Sequence, residues 1–208
     1  MNMWEISTPI SINIKNLTKE YGKNKGIFNL NLELSSGYIN LVVGKNGSGK
    51  STLLKCIMKL VRYHGDIERR RFKIGYAPEN YIMPDFMTVD EFLYNIGRIK
   101  GVNRFEIREN TNDYYRFFNL EKHRFKTIKT LSNGMKQKIN LIQALINEPK
   151  IILLDEPLTA LDFDSEKKLI GYLTRLAKDH LVIISTHNPN KFKTRLKRVI
   201  ELENGTIK

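Results

Sequence analysis

The sequence has 208 residues, 41% of them hydrophobic and 27% charged, and 35 Lys plus Arg against 22 Asp plus Glu leave a net charge of +13. This is ordinary globular composition at single-domain length, and the longest apolar runs, Ile151 to Leu154 and Leu181 to Ile184, fall far short of the ~20 residues that cross a bilayer. Cys56 is the only cysteine, which excludes a disulfide framework and a cysteine zinc site and suits a reducing cytoplasm.

Near the start, Glu5 and the lack of a sustained apolar stretch argue against a secretory signal. Alternating segments at Ile12 to Leu17 and Ile27 to Leu34 predict half-buried strands. Tyr38 to Val43 reads as a buried strand that enters a glycine-rich turn, and Ser51 to Val61 follows as a helix with Leu53, Leu54, Ile57, Met58 and Leu60 on its apolar face. His64 to Ile67 and Phe72 to Tyr76 read as two short strands. From Pro78 to about Pro149 strand signals disappear, and helical patterns begin after Thr88, Asn103 and Ser132.

Twelve of the 19 Phe and Tyr residues lie between Phe72 and Phe125, which predicts a small helical lobe built around large rings. Alternation then returns: a strand at Ile151 to Leu154, a helix at Ser165 to Lys178, a strand at Leu181 to Ser185 and a short helix near Lys191. Arg198 to Glu203 and Thr206 to Lys208 flank Asn204-Gly205, a favoured hairpin turn. One domain over 1–208 is expected, with 1–77 and 150–208 forming the core and 78–149 the inserted helical lobe.

Two patterns carry chemistry. Gly44-Lys45-Asn46-Gly47-Ser48-Gly49-Lys50-Ser51-Thr52 satisfies the phosphate-loop pattern between a predicted strand and a predicted helix. Its glycines let backbone N–H groups curl around phosphates, and the helix adds its N-terminal dipole. Lys50 should reach the β- and γ-phosphates, and the Ser51 hydroxyl should ligate Mg²⁺. The second pattern is the apolar strand Ile151 to Leu154 ending in Asp155-Glu156, which places carboxylates where open α/β sheets bind ligands. Asp155 would hold the Mg²⁺ shell and Glu156 would act as general base toward water.

Together these residues resemble the nucleotide-binding domain of ATP-binding cassette (ABC) ATPases. Leu131-Ser132-Asn133-Gly134-Met135 is similar to that family's signature motif and begins 24 residues before Asp155. Thr159-Ala160-Leu161-Asp162 resembles its D-loop, Ser185-Thr186-His187 its switch-histidine loop, and Ile74 to Glu79 its Q-loop; Tyr21 sits where the family stacks an aromatic ring on adenine. The resemblance implies an α/β fold: a P-loop NTPase core, with a mixed sheet, flanking helices and N-terminal antiparallel strands, carrying an inserted α-helical lobe. It implies ATP and Mg²⁺ as cofactors, Ser51, Asp155 and Glu79 near the metal, and His187 on the γ-phosphate. Ser132, Asn133 and Gly134 would be presented to the nucleotide of a facing chain.

Asn133 and Met135 depart from the family's usual glycine and glutamine, and Glu79 replaces a glutamine. These variants resemble the bacterial branch that exports peptides, bacteriocins and drugs. The expectation is an ATPase subunit working with a separate transmembrane permease subunit and a second nucleotide-binding chain, homodimeric or a paired homologue. It would be cytoplasmic and peripheral on the inner face of the cell membrane. The alternative is a soluble ABC ATPase acting on nucleic acid or the ribosome, which the charge keeps open. No nucleic-acid motif accompanies the basic clusters at Arg69 to Lys73 and Lys191 to Arg198, so no nucleic-acid partner is expected; a basic face toward anionic lipid is the simpler reading.

Overall fold

Alternating residues in the first third build an antiparallel sheet with one buried face. Strand β1 (Ser11–Gly22) buries Ile12, Ile14 and Leu17, and β2 (Lys25–Ser35) buries Ile27, Leu30 and Leu34. The step from Ile14 to Leu17 breaks the two-residue period because a bulge intervenes, with Asn16 in the left-handed region at φ 50. The computed structural model describes residues 9–23 and 25–208, so the argument from Glu5 lies outside the described residues.

The second sheet carries the site. Strands β3 (Ile39–Val43), β4 (His64–Arg69), β5 (Ile74–Ala77), β6 (Ile151–Asp155), β7 (Leu181–Thr186), β8 (Lys197–Glu203) and β9 (Thr206–Ile207) follow in the chain. β4 joins the first sheet, in the order β2-β1-β4, and the other six form β5-β6-β7-β3-β8-β9. The five strands β5, β6, β7, β3 and β8 run parallel, and β9 returns antiparallel on β8. Every residue of β6 and β7 is buried, which is why both read as continuous apolar runs without alternation.

Among the described residues five α-helices complete the fold: α1 (Lys50–Ile57), α2 (Val89–Ile99), α3 (Arg104–Phe118), α4 (Asn133–Leu145) and α5 (Phe163–Leu176). The three helix starts expected in the middle of the chain are set by local caps. Thr88 and Glu91 make a capping box, Asn103 accepts from Glu106 N–H at 2.9 Å, and Ser132 accepts from Met135 N–H at 3.3 Å.

Three sequence expectations are corrected. α1 stops at Ile57, not Val61, because Lys59 turns left-handed at φ 57 and the N–H groups of Lys59 and Leu60 bond back to Cys56 and Lys55, closing the helix in a Schellman motif. Aromatic rings do not all enter the lobe's core: Tyr115 and Phe118 are buried, whereas Phe86, Phe105 and Phe125 stay in solvent. The short helix expected near Lys191 is present, as one 3₁₀ turn over Pro189–Lys191. The second basic cluster is partly engaged, with Lys191 paired to Glu166 and Lys197 donating to the Phe192 carbonyl at 2.7 Å.

Helix α4 covers the edge of the parallel sheet. A Cβ on Gly75 of β5 would stand 2.1 Å from the Ala144 carbonyl, so only glycine admits this approach. One buried cluster accordingly runs from Ile39 and Leu154 of the sheet through Leu141 and Ile142 to Phe92 and Tyr115 of the lobe.

Candidate active site

Three parallel strands end side by side, and their carboxyl ends supply the chemistry. β3 runs into the phosphate loop and α1, β6 ends in Asp155-Glu156, and β7 ends next to His187. Gly47 and Gly49 hold φ 84 and 105, conformations that allow the loop to curl. Gly49 is wedged against β2, where an added Cβ would meet Ile27 Cγ2 at 2.5 Å, and the Gly205 N–H donates to the Ser48 carbonyl at 3.1 Å. The loop is thus clamped from below by β2 and the β8–β9 turn.

Lys50 Nζ donates to the carbonyls of Gly44 and Lys45 at 2.8 and 3.2 Å and lies 3.7 Å from Glu156 Oε1. Both side chains are almost wholly buried. Ser51 Oγ donates to Asp155 Oδ1 at 3.1 Å, and Ser185 Oγ donates to the same carboxylate oxygen. Glu156 departs from β6 with φ 48, its N–H donating to Ser185 Oγ at 3.1 Å. That left-handed turn swings its carboxylate to His187, whose Nδ1 lies 3.0 Å from Glu156 Oε2. A left-handed non-glycine residue costs about 1–3 kcal/mol and persists only where its surroundings hold it, as the Ser185 bond does here.

The residues fit a nucleotide phosphate and a divalent cation. Ser48 Oγ, inside the loop, and Glu156 Oε1 are buried and lack a hydrogen-bond partner among the described residues, so the loop and the strand end each present an unused polar atom. Ser51 and Asp155 supply two hard oxygens, a set suited to Mg²⁺, which keeps its remaining positions for water and phosphate. Among the described residues no group of three or more His, Cys, Asp or Glu forms a self-contained metal cage.

Lys50, Ser51, Asp155, Glu156 and His187 are therefore brought together. Ser132, Asn133 and Gly134 are not: they begin α4, with Ser132 exposed and its hydroxyl capping its own helix, and no hydrogen bond joins them to the phosphate loop among the described residues. Gly134 instead packs on Ala160 of its own chain. Tyr21 stands exposed at the end of β1 with Lys19 Nζ 4.8 Å over its ring, and Glu79 is exposed just beyond β5. Asp162 caps α5 through the Ser165 N–H and pairs with Lys138 at 2.8 Å; the Lys138 ammonium, then the Ser165 N–H, hold its carboxyl well below the usual range. Sequence reasoning missed Ser185 as the shared partner of Asp155 and Glu156. A lone polar residue at the end of the buried run Leu181 to Ile184 is the signal that could have found it.

The model of the family described as ABC transporter matches residues 27–159, which contain the phosphate loop, the signature segment and Asp155-Glu156. The chain belongs to that family, as an ATP-binding subunit. This cassette is 30% identical over 94% of its length to an uncharacterised ABC transporter ATP-binding protein of Bacillus subtilis, and 29% identical over 94% to a phosphonates import ATP-binding protein of Oceanobacillus iheyensis. It covers 69% of the first relative and 88% of the second, but 60% or less of several longer ones. Among solved structures, an ATP-binding cassette captured as a dimer in a post-hydrolysis state with ADP and phosphate superposes with a TM-score of 0.84, at 26% identity, over 95% of this chain and 96% of that one. The cassette is an ATPase, with ATP as its nucleotide and Mg²⁺ as the partner ion.

Proposed function

We propose that this cassette powers export of a peptide, bacteriocin or drug-like cargo through a separate transmembrane permease subunit, acting with a second nucleotide-binding chain. The observation that carries the reading is an incomplete site: the phosphate loop, Asp155, Glu156 and His187 converge, while Ser132 and Asn133 of the signature segment face solvent and no bond joins Ser132 to Gly134 to the loop among the described residues. A second cassette set head to tail would complete each site with its own signature segment. The wall for the permease is the segment after Glu79, where Ile82 and Phe86 are exposed. Exposed apolar side chains in one stretch mark an interaction surface more than an ordinary solvated loop.

Within the site, Lys50 Nζ would exchange its loop carbonyls for the β- and γ-phosphate oxygens, and Ser51 and Asp155 would hold Mg²⁺, which when bound would supply charge neutralisation. Glu156 accepts the proton of the attacking water, and His187, on the far oxygen of that carboxylate, fixes its orientation. Catalysis of this kind is positioning and electrostatics with little covalent work for the protein.

Export as the direction is supported by Asn133, Met135 and Glu79, the positions that resemble the exporter branch. No helix among the described residues is long and apolar enough to cross a membrane, which agrees with a partner that does. We place the chain in the cytoplasm, peripheral on the inner face of the cell membrane. The test is reconstitution with the membrane subunit encoded beside this chain in inside-out vesicles. ATP-dependent cargo uptake, abolished by Lys50→Ala, is the expected result; uptake only into right-side-out vesicles loaded with ATP, the cassette inside, would reverse the direction.

A further inference from the structure

Helix α4 carries three amide side chains at Gln137, Asn140 and Gln143, spaced three residues apart along the face that meets the catalytic layer. A buried helical stripe of this kind is ordinarily apolar, yet Gln137 and Asn140 are 4% and 1% exposed. Their hydrogen bonds run in one direction. Lys100 Nζ, at the end of α2, donates to Gln143 Oε1 at 3.2 Å; Gln143 Nε2 donates to Asn140 Oδ1 at 3.3 Å; Asn140 Nδ2 donates to Gln137 Oε1 at 3.2 Å; Gln137 Nε2 donates to the Pro157 carbonyl at 3.1 Å. The second N–H of each inner amide is spent on the backbone of β5 and its continuation: Gln143 on the Tyr76 carbonyl at 2.8 Å and Asn140 on the Pro78 carbonyl at 2.9 Å.

β5 is an edge strand, so its outward carbonyls, two residues apart, have no neighbouring strand to bond. The amides stand in for that strand. Two of the fixed carbonyls lie beside site residues: Pro157 follows Glu156, and Pro78 precedes Glu79. Because every amide spends its oxygen on the next donor, turning one would break its neighbours' bonds as well.

We propose that Gln137, Asn140 and Gln143 are positioning residues that set the aim of the Glu156 carboxylate and tie the start of the segment at Glu79 to it. They act through the backbone and touch neither nucleotide nor water. This inference rests on the reading of Glu156 as the base, and the experiment separates the two.

Gln137→Met keeps the length of the side chain and removes its N–H donor; Asn140→Asp keeps the shape and removes both donors. In the whole chain, with ATP and Mg²⁺, each is expected to lower kcat by about 10-fold or more, as sub-ångström misplacement does, while the KM for ATP barely moves; the thermal midpoint falls in both, because buried partners lose their bonds. Unchanged kcat in both variants overturns the proposal. So does a joint loss of kcat and ATP affinity, or a failure of both to fold, since each describes a merely structural ladder. Glu156→Gln is measured alongside: if it hydrolyses ATP at the full rate, the base assignment falls. Normal turnover in Gln137→Met and Asn140→Asp beside an inactive Glu156→Gln would sink the ladder alone.

Discussion

Gly134 of the signature segment lies against the Ala160 carbonyl of the same chain, so closely that a Cβ there would stand 2.6 Å from that oxygen. Ala160 is itself left-handed at φ 62. The start of α4 and the segment 159–162 are therefore one packed unit, reinforced by the 2.8 Å contact between Lys138 and Asp162. Gly134→Ala is expected to push these backbones apart, at a cost of about 1–3 kcal/mol in stability. Thermal unfolding checks the cost, and an unchanged midpoint would show that the segment yields freely.

Glu156→Gln should retain nucleotide binding and slow hydrolysis by about 10²–10⁴-fold, the usual consequence of losing a general base. ATP then persists between two chains, and sedimentation should show an ATP-dependent dimer. A strictly monomeric profile at saturating ATP would count against a site shared between two cassettes.

Ser132→Arg removes the α4 cap, worth about 1 kcal/mol, and sets a bulky cation on the surface proposed to meet a facing chain. Nucleotide affinity should survive while dimer formation and turnover are lost, as equilibrium binding and sedimentation would report. Loss of ATP affinity itself would mean that Ser132 serves its own chain's site.

Lys100 gives a prediction in pH. Burial pushes its ammonium down from 10.5 to about 8, so between those values the unfolded chain holds the proton and the folded chain does not. Stability contributed by this group therefore rises with pH across that window, by about 3 kcal/mol at most. Below pH 8 both states are protonated and the full desolvation penalty applies. Denaturant melts of the natural chain and of Lys100→Met from pH 7 to 10.5 isolate the effect: the natural chain should gain on the variant as pH rises, and a constant difference would refute it.

What could be read in advance was local. Thr88, Asn103 and Ser132 announce helix starts because a cap is made within three residues, and the phosphate loop announces itself because its glycines and Lys50 act on one ligand over nine positions. Lys59 ended α1 early without a glycine to mark it, since the Schellman bonds depend on the path the backbone takes beyond the last helical turn. Phe86 and Tyr115 are equally aromatic in a composition count, and only packing decides that Tyr115 is buried and Phe86 is not. Ser185, Gln137, Asn140 and Gln143 escaped for the same reason: their partners lie 20 or more residues away, at Pro157, Pro78, Tyr76 and Asp155. A polar residue inside an otherwise apolar element was the one visible trace.

The clamp beneath the phosphate loop has a consequence for synthesis. Residues 44–52 leave the ribosome early, yet their floor includes Gly205, which crowds Gly26 and Phe28 and donates to the Ser48 carbonyl. During translation the loop must wait for some 150 further residues before its underside closes. The growing chain therefore cannot form its finished nucleotide pocket one strand at a time. A chain stopped before Gly205 would lack that donor to Ser48 and that contact with Gly26 and Phe28, so its phosphate loop would stand without its floor.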